Sequence, residues 1–445
     1  MLLKNVIDSP CGLRYMLDEL ELQSGYARRW LLERPMMTDA DKIDAAYGLL
    51  RRFDDFVACA DSTHLNTLRF RLQGLKDIRT TIQNLRQRAT LDDIELFEVK
   101  HLSILSTDVA RLMQEQNMAD VVEIPTLDDV ITILDPDGMK IATFYVYDAY
   151  CAELRELRAQ MRQQPDKQEE LLLQANELEL GVRQDLSRQL HPFADAIEQA
   201  QVALAHIDVL LAQASQLRQM GLCLPAVSAD GTTHYHAMFH PQVRAALVFV
   251  KREFQPVDIA FGQNSTLITG ANMGGKTVVL KTLTLCQLLF QFGFGIPAQE
   301  ATIAVKDEVY FCIGDDQSVE RGLSSFAAEM KNIDQVVKAS RTGARILALI
   351  DEPARTTNPT EGAALVTALL RLMESKPVSL VMTTHYDIDP GDARCLRVKG
   401  FENGIMDYTL VEVEDGEAPH EALNIAESLG IDPEWLAQAR KCLRE

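Results

Sequence analysis

Gly270-Ala271-Asn272-Met273-Gly274-Gly275-Lys276-Thr277 matches G-x-x-x-x-G-K-[ST] without a mismatch. The segment follows a strand-like run and opens an amphipathic helix. In that setting Gly270, Asn272, Met273, Gly274 and Gly275 can curl their backbone N–H groups around phosphate oxygens, and the helix N-terminus adds partial positive charge. Lys276 is expected to reach the β- and γ-phosphates of ATP, and Thr277 to hold Mg2+. Such chemistry also needs a carboxylate at the end of an apolar strand, and Arg345-Ile346-Leu347-Ala348-Leu349-Ile350-Asp351-Glu352 supplies two. Asp351 is expected in the Mg2+ shell, with Glu352 orienting or deprotonating the attacking water. Adjacent ionised carboxylates repel, so a purely structural origin for the pair is uncommon. His385, in Met382-Thr383-Thr384-His385-Tyr386, follows the next strand-like run and is placed to touch a γ-phosphate. Alone it reads as an ordinary strand-end histidine; the two other motifs give it a role.

The elements around these residues alternate. After Gly221, strand-like runs at Ser265–Thr269, Ile303–Val305, Val309–Ile313, Ile346–Ile350 and Ser379–Thr383 interleave with helices near 277–291, 327–340, 361–374 and 421–443. The first 120 residues carry apolar clusters at helical spacing. Val130–Leu134, Asp135-Pro136-Asp137-Gly138 and Ile141–Val146 predict strand, turn, strand. From Ala152 to Met220 the Glu/Gln/Leu/Arg/Ala composition predicts long helices, an antiparallel pair turning near Gln164-Pro165-Asp166, with the charges on a solvated face. The resulting fold class is an α-helical core and lever domain followed by an α/β P-loop ATPase domain with a C-terminal helix. The expected divisions are 1–150 (helical core), 151–220 (lever helices), 221–414 (ATPase) and 415–445 (C-terminal helix).

The chain of 445 residues carries 44 Lys and Arg against 65 Asp and Glu, a formal net charge of −21. That balance opposes coating nucleic acid through overall charge while allowing a local basic stripe. No signal-peptide apolar region and no long uncharged apolar stretch occur, so no membrane partner is expected. The eight scattered cysteines, without a C-x-x-C pair, predict reduced thiols and a cytoplasmic setting. His234, His236 and His240 invite a test as metal ligands; with no cysteine or carboxylate close in sequence, a structural or surface role is favoured.

The order of the nucleotide motifs is that of ABC-type ATPases, and the flanking words resemble the MutS family. The resemblance rests on Thr269–Thr277, Gly295-Ile296-Pro297-Ala298, Leu323-Ser324-Ser325-Phe326, Asp351-Glu352, Asn358-Pro359-Thr360-Glu361-Gly362 and Thr384-His385-Tyr386. Ile313–Glu320 and Thr360–Ala364 look most like its anti-recombination branch, which handles branched DNA or stalled ribosomes. Gly25–Leu31 is similar to the opening of the family's helical core, and Tyr147–Tyr150 to the step into its lever helices. The resemblance implies a homodimer with two composite sites, in which Ser324 reaches the partner's γ-phosphate. A simple helix N-cap is the other reading of Ser324-Ser325, and both can hold together.

Departures from the family pattern shape the remaining expectations. No Phe-x-Glu tripeptide occurs, so the mismatch and connector domains are expected to be absent, as is a C-terminal nuclease domain. The basic clamp between the levers reads as almost deleted: residues 151–220 hold seven Lys/Arg and eleven Asp/Glu, a net of −4. Ala271 stands where the family usually has proline, and Pro353-Ala354-Arg355-Thr356-Thr357 lacks the family's interface-loop glycine. Three functions stay open: an ATP-driven clamp on DNA of unusual structure in repair or recombination, a remodeller of a protein or ribosomal partner, and a nucleotide-regulated scaffold with negligible turnover.

Overall fold

The computed structural model describes residues 1–140, 143–164, 166, 168–270, 274–313, 325–402, 405–413, 423, 426, 427 and 430–442. The helices are α1 (Leu13–Asp18), α2 (Gly25–Leu32), α3 (Ala40–Cys59), α4 (Ser62–Leu72), α5 (Arg79–Arg86), α6 (Asp93–Glu115), α7 (Asp128–Leu134), α8 (Ala152–Gln163), α9 (Gln168–Leu190) and α10 (Ala194–Met220). A mixed region follows: β1 (Ala226–Val227), β2 (Thr233–Met238), α11 (Pro241–Phe249), β3 (Val257–Phe261), β4 (Thr266–Thr269), α12 (Lys276–Phe292), β5 (Glu300–Ile303) and β6 (Glu308–Cys312). It continues with α13 (Ser325–Ala339), β7 (Ile346–Ile350), α14 (Pro359–Met373), β8 (Val378–Thr383), β9 (Arg394–Glu402), β10 (Ile405–Val413) and α15 (Pro433–Cys442). A helical N-terminal region therefore precedes mixed α/β sheets. The chain divides into two discontinuous units, 21–34 with 52–215, and 1–20 with 35–51 and 216–445.

In the helical unit, α6 starts with a reciprocal capping box between Asp92 and Glu95. Helices α8 and α9 form the expected hairpin, with Leu154 and Ala175 buried together and Arg158 paired to Glu179 at 2.8 Å. The expected strand over 130–134 is instead α7. Buried Leu127, at its N-cap, and Val130 and Leu134 within it recur at three and four positions, a helical spacing. Asp128 and Asp129 favour its positive N-terminal end. Asp135 then terminates it, accepting from Lys100 Nζ at 2.9 Å and from the Lys140 N–H at 2.7 Å. The second expected strand, 141–146, is not one either: residues 143–146 have no regular structure, and 141 and 142 lie outside the described residues. The solvated-face reading of 151–220 also needs one correction. Asp208 is buried, accepting from the Gln23 and Ser24 N–H groups and the Ser24 hydroxyl at the start of α2. Burial raises its carboxyl above the usual range.

The α/β unit contains a six-stranded sheet, ordered β10-β9-β4-β8-β7-β6, in which only β10 runs antiparallel to its neighbour. Strands β4, β7 and β8 are buried along their whole length, as continuous apolar runs in a covered parallel sheet should be. Four strands form a smaller sheet, β1-β5-β2-β3. Of the expected strands, 303–305 sits earlier, as β5 over Glu300–Ile303, while the other four lie within a residue of the expected ends. Part of the N-terminal region packs here. Tyr47 donates to the Phe294 carbonyl at 2.8 Å, and the Met37 N–H donates to the Gln291 carbonyl at 2.9 Å, holding the far end of α12.

Candidate functional site

Strands β4, β8 and β7 are adjacent and parallel, so their C-terminal ends open on one edge of the sheet, where open α/β sheets bind ligands. The glycine-rich segment leaves β4 there. Gly270 has φ +140°, and a Cβ on it would come 3.1 Å from Val398 Cβ. Gly275, at φ +74°, precedes α12, and a Cβ there would lie 3.0 Å from the Tyr408 ring. Both positions therefore need glycine for backbone conformation and for space. Asn272 and Met273 lie outside the described residues, as does Ser324; Gly274 is buried at the turn into α12.

The structure brings Lys276, Thr277, Asp351, Glu352 and His385 together. Lys276 is nearly buried, its Nζ donating to the Gly270 carbonyl at 2.7 Å and standing 3.3 Å from Glu352 Oε1. Thr277 Oγ1 donates to Asp351 Oδ2 at 2.8 Å, and Thr383 Oγ1 donates to Asp351 Oδ1 at 2.7 Å. The Glu352 N–H in turn donates to Thr383 Oγ1 at 2.9 Å. The Asp351 carboxylate is thus fixed by a hydroxyl on each side, and Glu352 is tied to the same strand end. Glu352 has φ +44°, a left-handed conformation that costs a non-glycine residue energy and is held by this network. His385 Nδ1 stands 3.9 Å from Glu352 Oε2, too far for a hydrogen bond; this atom is buried and accepts none among the described residues.

Three participants carried no clear sequence signal. Thr383 looked like the last residue of an apolar strand, yet it connects the two acidic residues. Tyr408 comes from the β9–β10 hairpin, which the sequence reading did not separate from loop. Val398, in the same hairpin, faces Gly270. Gly362 had a signal in the Thr360-Glu361-Gly362 motif, and its reason is now visible: a Cβ there would fall on the Tyr386 hydroxyl.

The three histidines do not converge. His234 and His236 project exposed from β2 at a cavity of about 770 Å3 lined by β2, β3, β5 and the β9–β10 hairpin, where His236 pairs with Asp258 at 2.9 Å. His240 caps α11 through Nδ1, and burial depresses its pKa to about 4. Among the described residues no group of three or more His, Cys, Asp or Glu could hold a metal ion. No helix among them is long and apolar enough to cross a membrane.

Residues 266–403 match the family model of MutS domain V. The chain is 28% identical over 386 residues to "Endonuclease MutS2" of Caldicellulosiruptor saccharolyticus, covering 83% of this chain and 46% of the relative. It is 33% identical over 279 residues to the protein of that name from Lactiplantibacillus plantarum, covering 59% and 33%. With the one from Listeria monocytogenes it shares 39% over 205 residues, covering 45% and 25%. The chain spans less than half the length of these relatives. The matched domain contains β4, β7, β8 and Lys276, Thr277, Asp351, Glu352, Thr383 and His385, and it is through this domain that the chain matches the MutS family.

Proposed function

We propose that the chain binds ATP with Mg2+ at the ends of β4, β7 and β8 and hydrolyses it, and that two such chains pair as an ATP-driven clamp on DNA of unusual structure, in repair or recombination. The observation that supports this best is the hydrogen-bonded cluster of Lys276, Thr277, Asp351 and Glu352 at the start of α12. Thr277 and Asp351 offer only hard oxygen donors, which suit Mg2+ held jointly with nucleotide phosphates. Bound there, the ion would neutralise charge developing on those phosphates. Lys276 exchanges the Gly270 carbonyl for phosphate oxygens, and backbone N–H groups from Gly270, Asn272, Met273, Gly274 and Gly275 surround them. Glu352 orients the attacking water and accepts its proton, His385 contacts the γ-phosphate, and Ser324 completes the site of the paired chain. The setting is cytoplasmic.

A second reading, remodelling of a protein or ribosomal partner without a DNA role, is favoured by the net charge of −21 and the acidic 151–220 stretch. The test is binding of a four-way DNA junction, with ATP, to the Glu352→Gln protein between 50 and 200 mM salt. A clamp making several phosphate contacts loses roughly 10³-fold or more in affinity over that range. No binding at the lowest salt would sink the DNA reading and favour the second.

A further inference from the structure

The loop after Glu352 is gripped from two sides. Ala354 is fully buried at φ +61°, a conformation in which glycine is the usual residue. Its N–H donates to Glu329 Oε1 at 3.2 Å, and its carbonyl accepts from the Tyr386 hydroxyl at 2.7 Å. Glu329 stands on α13, five residues beyond Ser324. Tyr386 adjoins His385, their ring centroids 4.2 Å apart. Gly362, on α14, makes room for the Tyr386 hydroxyl. One residue, two positions from Glu352, is therefore tied through its N–H to α13 and through its carbonyl to the segment that follows β8.

We propose that Glu329 and Tyr386 are positioning residues for ATP hydrolysis: by holding Ala354 at its N–H and at its carbonyl they fix the strained turn that aims the Glu352 carboxylate. The inference rests on Glu352 being the residue that activates water. Two non-glycine positive-φ positions in the loop, Glu352 and Ala354, flank Pro353, and nothing in their side chains favours that backbone. The surrounding hydrogen bonds must impose it. Glu352 itself is anchored through its N–H to Thr383, while its side chain stands near Lys276, Arg355 and His385. The downstream half of the turn is fixed at Ala354. Glu329 serves as an acceptor there, so its charge is dispensable, and burial already raises its carboxyl above the usual range. Because α13 begins beside Ser324, movement of that helix reaches Glu352 through a single hydrogen bond to the Ala354 N–H.

The test is steady-state ATP hydrolysis and equilibrium ATP binding by the full chain, with thermal melts to check folding. Glu329→Ala lowers kcat by about 10- to 100-fold, the scale of a misaimed catalytic group, with ATP affinity preserved. Glu329→Gln, which keeps a carbonyl acceptor, restores most of that loss. Tyr386→Phe, which removes one oxygen from a buried ring, lowers kcat in the same way and keeps the test open should Glu329→Ala fold poorly. Unchanged kcat in both Glu329→Ala and Tyr386→Phe overturns the proposal. Loss in Glu329→Gln equal to that in Glu329→Ala also overturns it, because charge would then be the requirement. A fall in ATP affinity matching the fall in kcat overturns it as well. Glu352→Gln is measured in parallel: turnover surviving there removes the underlying assignment of Glu352, a failure that is distinct from a silent Glu329→Ala.

Discussion

Replacing Gly362 with alanine sets two effects of opposite sign against each other. Gly362 lies in the first turns of α14, where alanine is the better helix former by at most about 1 kcal/mol. Its Cβ, however, would fall on the Tyr386 hydroxyl and lie 2.6 Å from Tyr386 Cζ, well inside the 3.4 Å at which ordinary contact begins. Tyr386 is only 6% exposed, so the ring has no free space to enter without displacing its neighbours. Overpacking of this kind costs about 1–3 kcal/mol. Displacement of the ring also breaks its 2.7 Å bond to the Ala354 carbonyl, and a buried acceptor left without its donor costs about 1–3 kcal/mol. The two losses exceed the helix-propensity gain, so Gly362→Ala should destabilise by roughly 1–5 kcal/mol. A domain of this size then melts lower by about 2 °C or more. Thermal melting of Gly362→Ala, Tyr386→Phe and the double variant tests the reasoning. Removing the hydroxyl takes away both the worst overlap and the bond at risk, so Gly362→Ala should cost less in the Tyr386→Phe background, a non-additivity of about 1 kcal/mol or more. A Gly362→Ala protein that melts at or above the parent, as propensity alone would give, refutes the packing argument. Additive single effects refute the mechanism.

Two further outcomes follow from buried groups. His240 is 2% exposed with its pKa pushed down to about 4, so the unfolded chain binds its proton first; stability is complete above about pH 6.5 and falls as pH drops towards 4. The loss is roughly 3 kcal/mol, and His240→Asn, which keeps an N-cap acceptor for the Val243 N–H, should flatten that part of a melting-versus-pH profile. Lys276→Met, by removing the ammonium that is to meet the phosphates, should weaken ATP binding about 100-fold in an equilibrium titration. An unchanged affinity would show that Lys276 remains on Gly270 and Glu352 when nucleotide is bound.

The parallel strands were legible because continuous apolar runs such as Ile346–Ile350 and Val378–Thr383 bury both faces, and the motif residues sit at their ends. What placed Asp351 beside Thr277 was sheet order, β4 next to β8 next to β7, which no local pattern in the chain encodes. Helix α7 was misread because β-branched residues dominate Val130–Thr132, while its direction is set by burial against α6 and by the Lys100–Asp135 pair. Asp208 reads as surface charge in composition; only the fold brings the Gln23 and Ser24 N–H groups to it. That the stretch Pro353–Thr357 lacks a glycine was visible in the sequence, but the consequence for the backbone was not. Ala354 has a left-handed backbone, with its N–H bonded to Glu329 and its carbonyl to Tyr386.

The most direct measurement of the central claim is phosphate release from Mg2+-ATP by the parent and Glu352→Gln chains, with ATP binding followed on the same samples. The account predicts that Glu352→Gln binds ATP as the parent does and releases phosphate at least about 100-fold more slowly. Equal phosphate release from both chains, or no ATP binding by the parent, would contradict it.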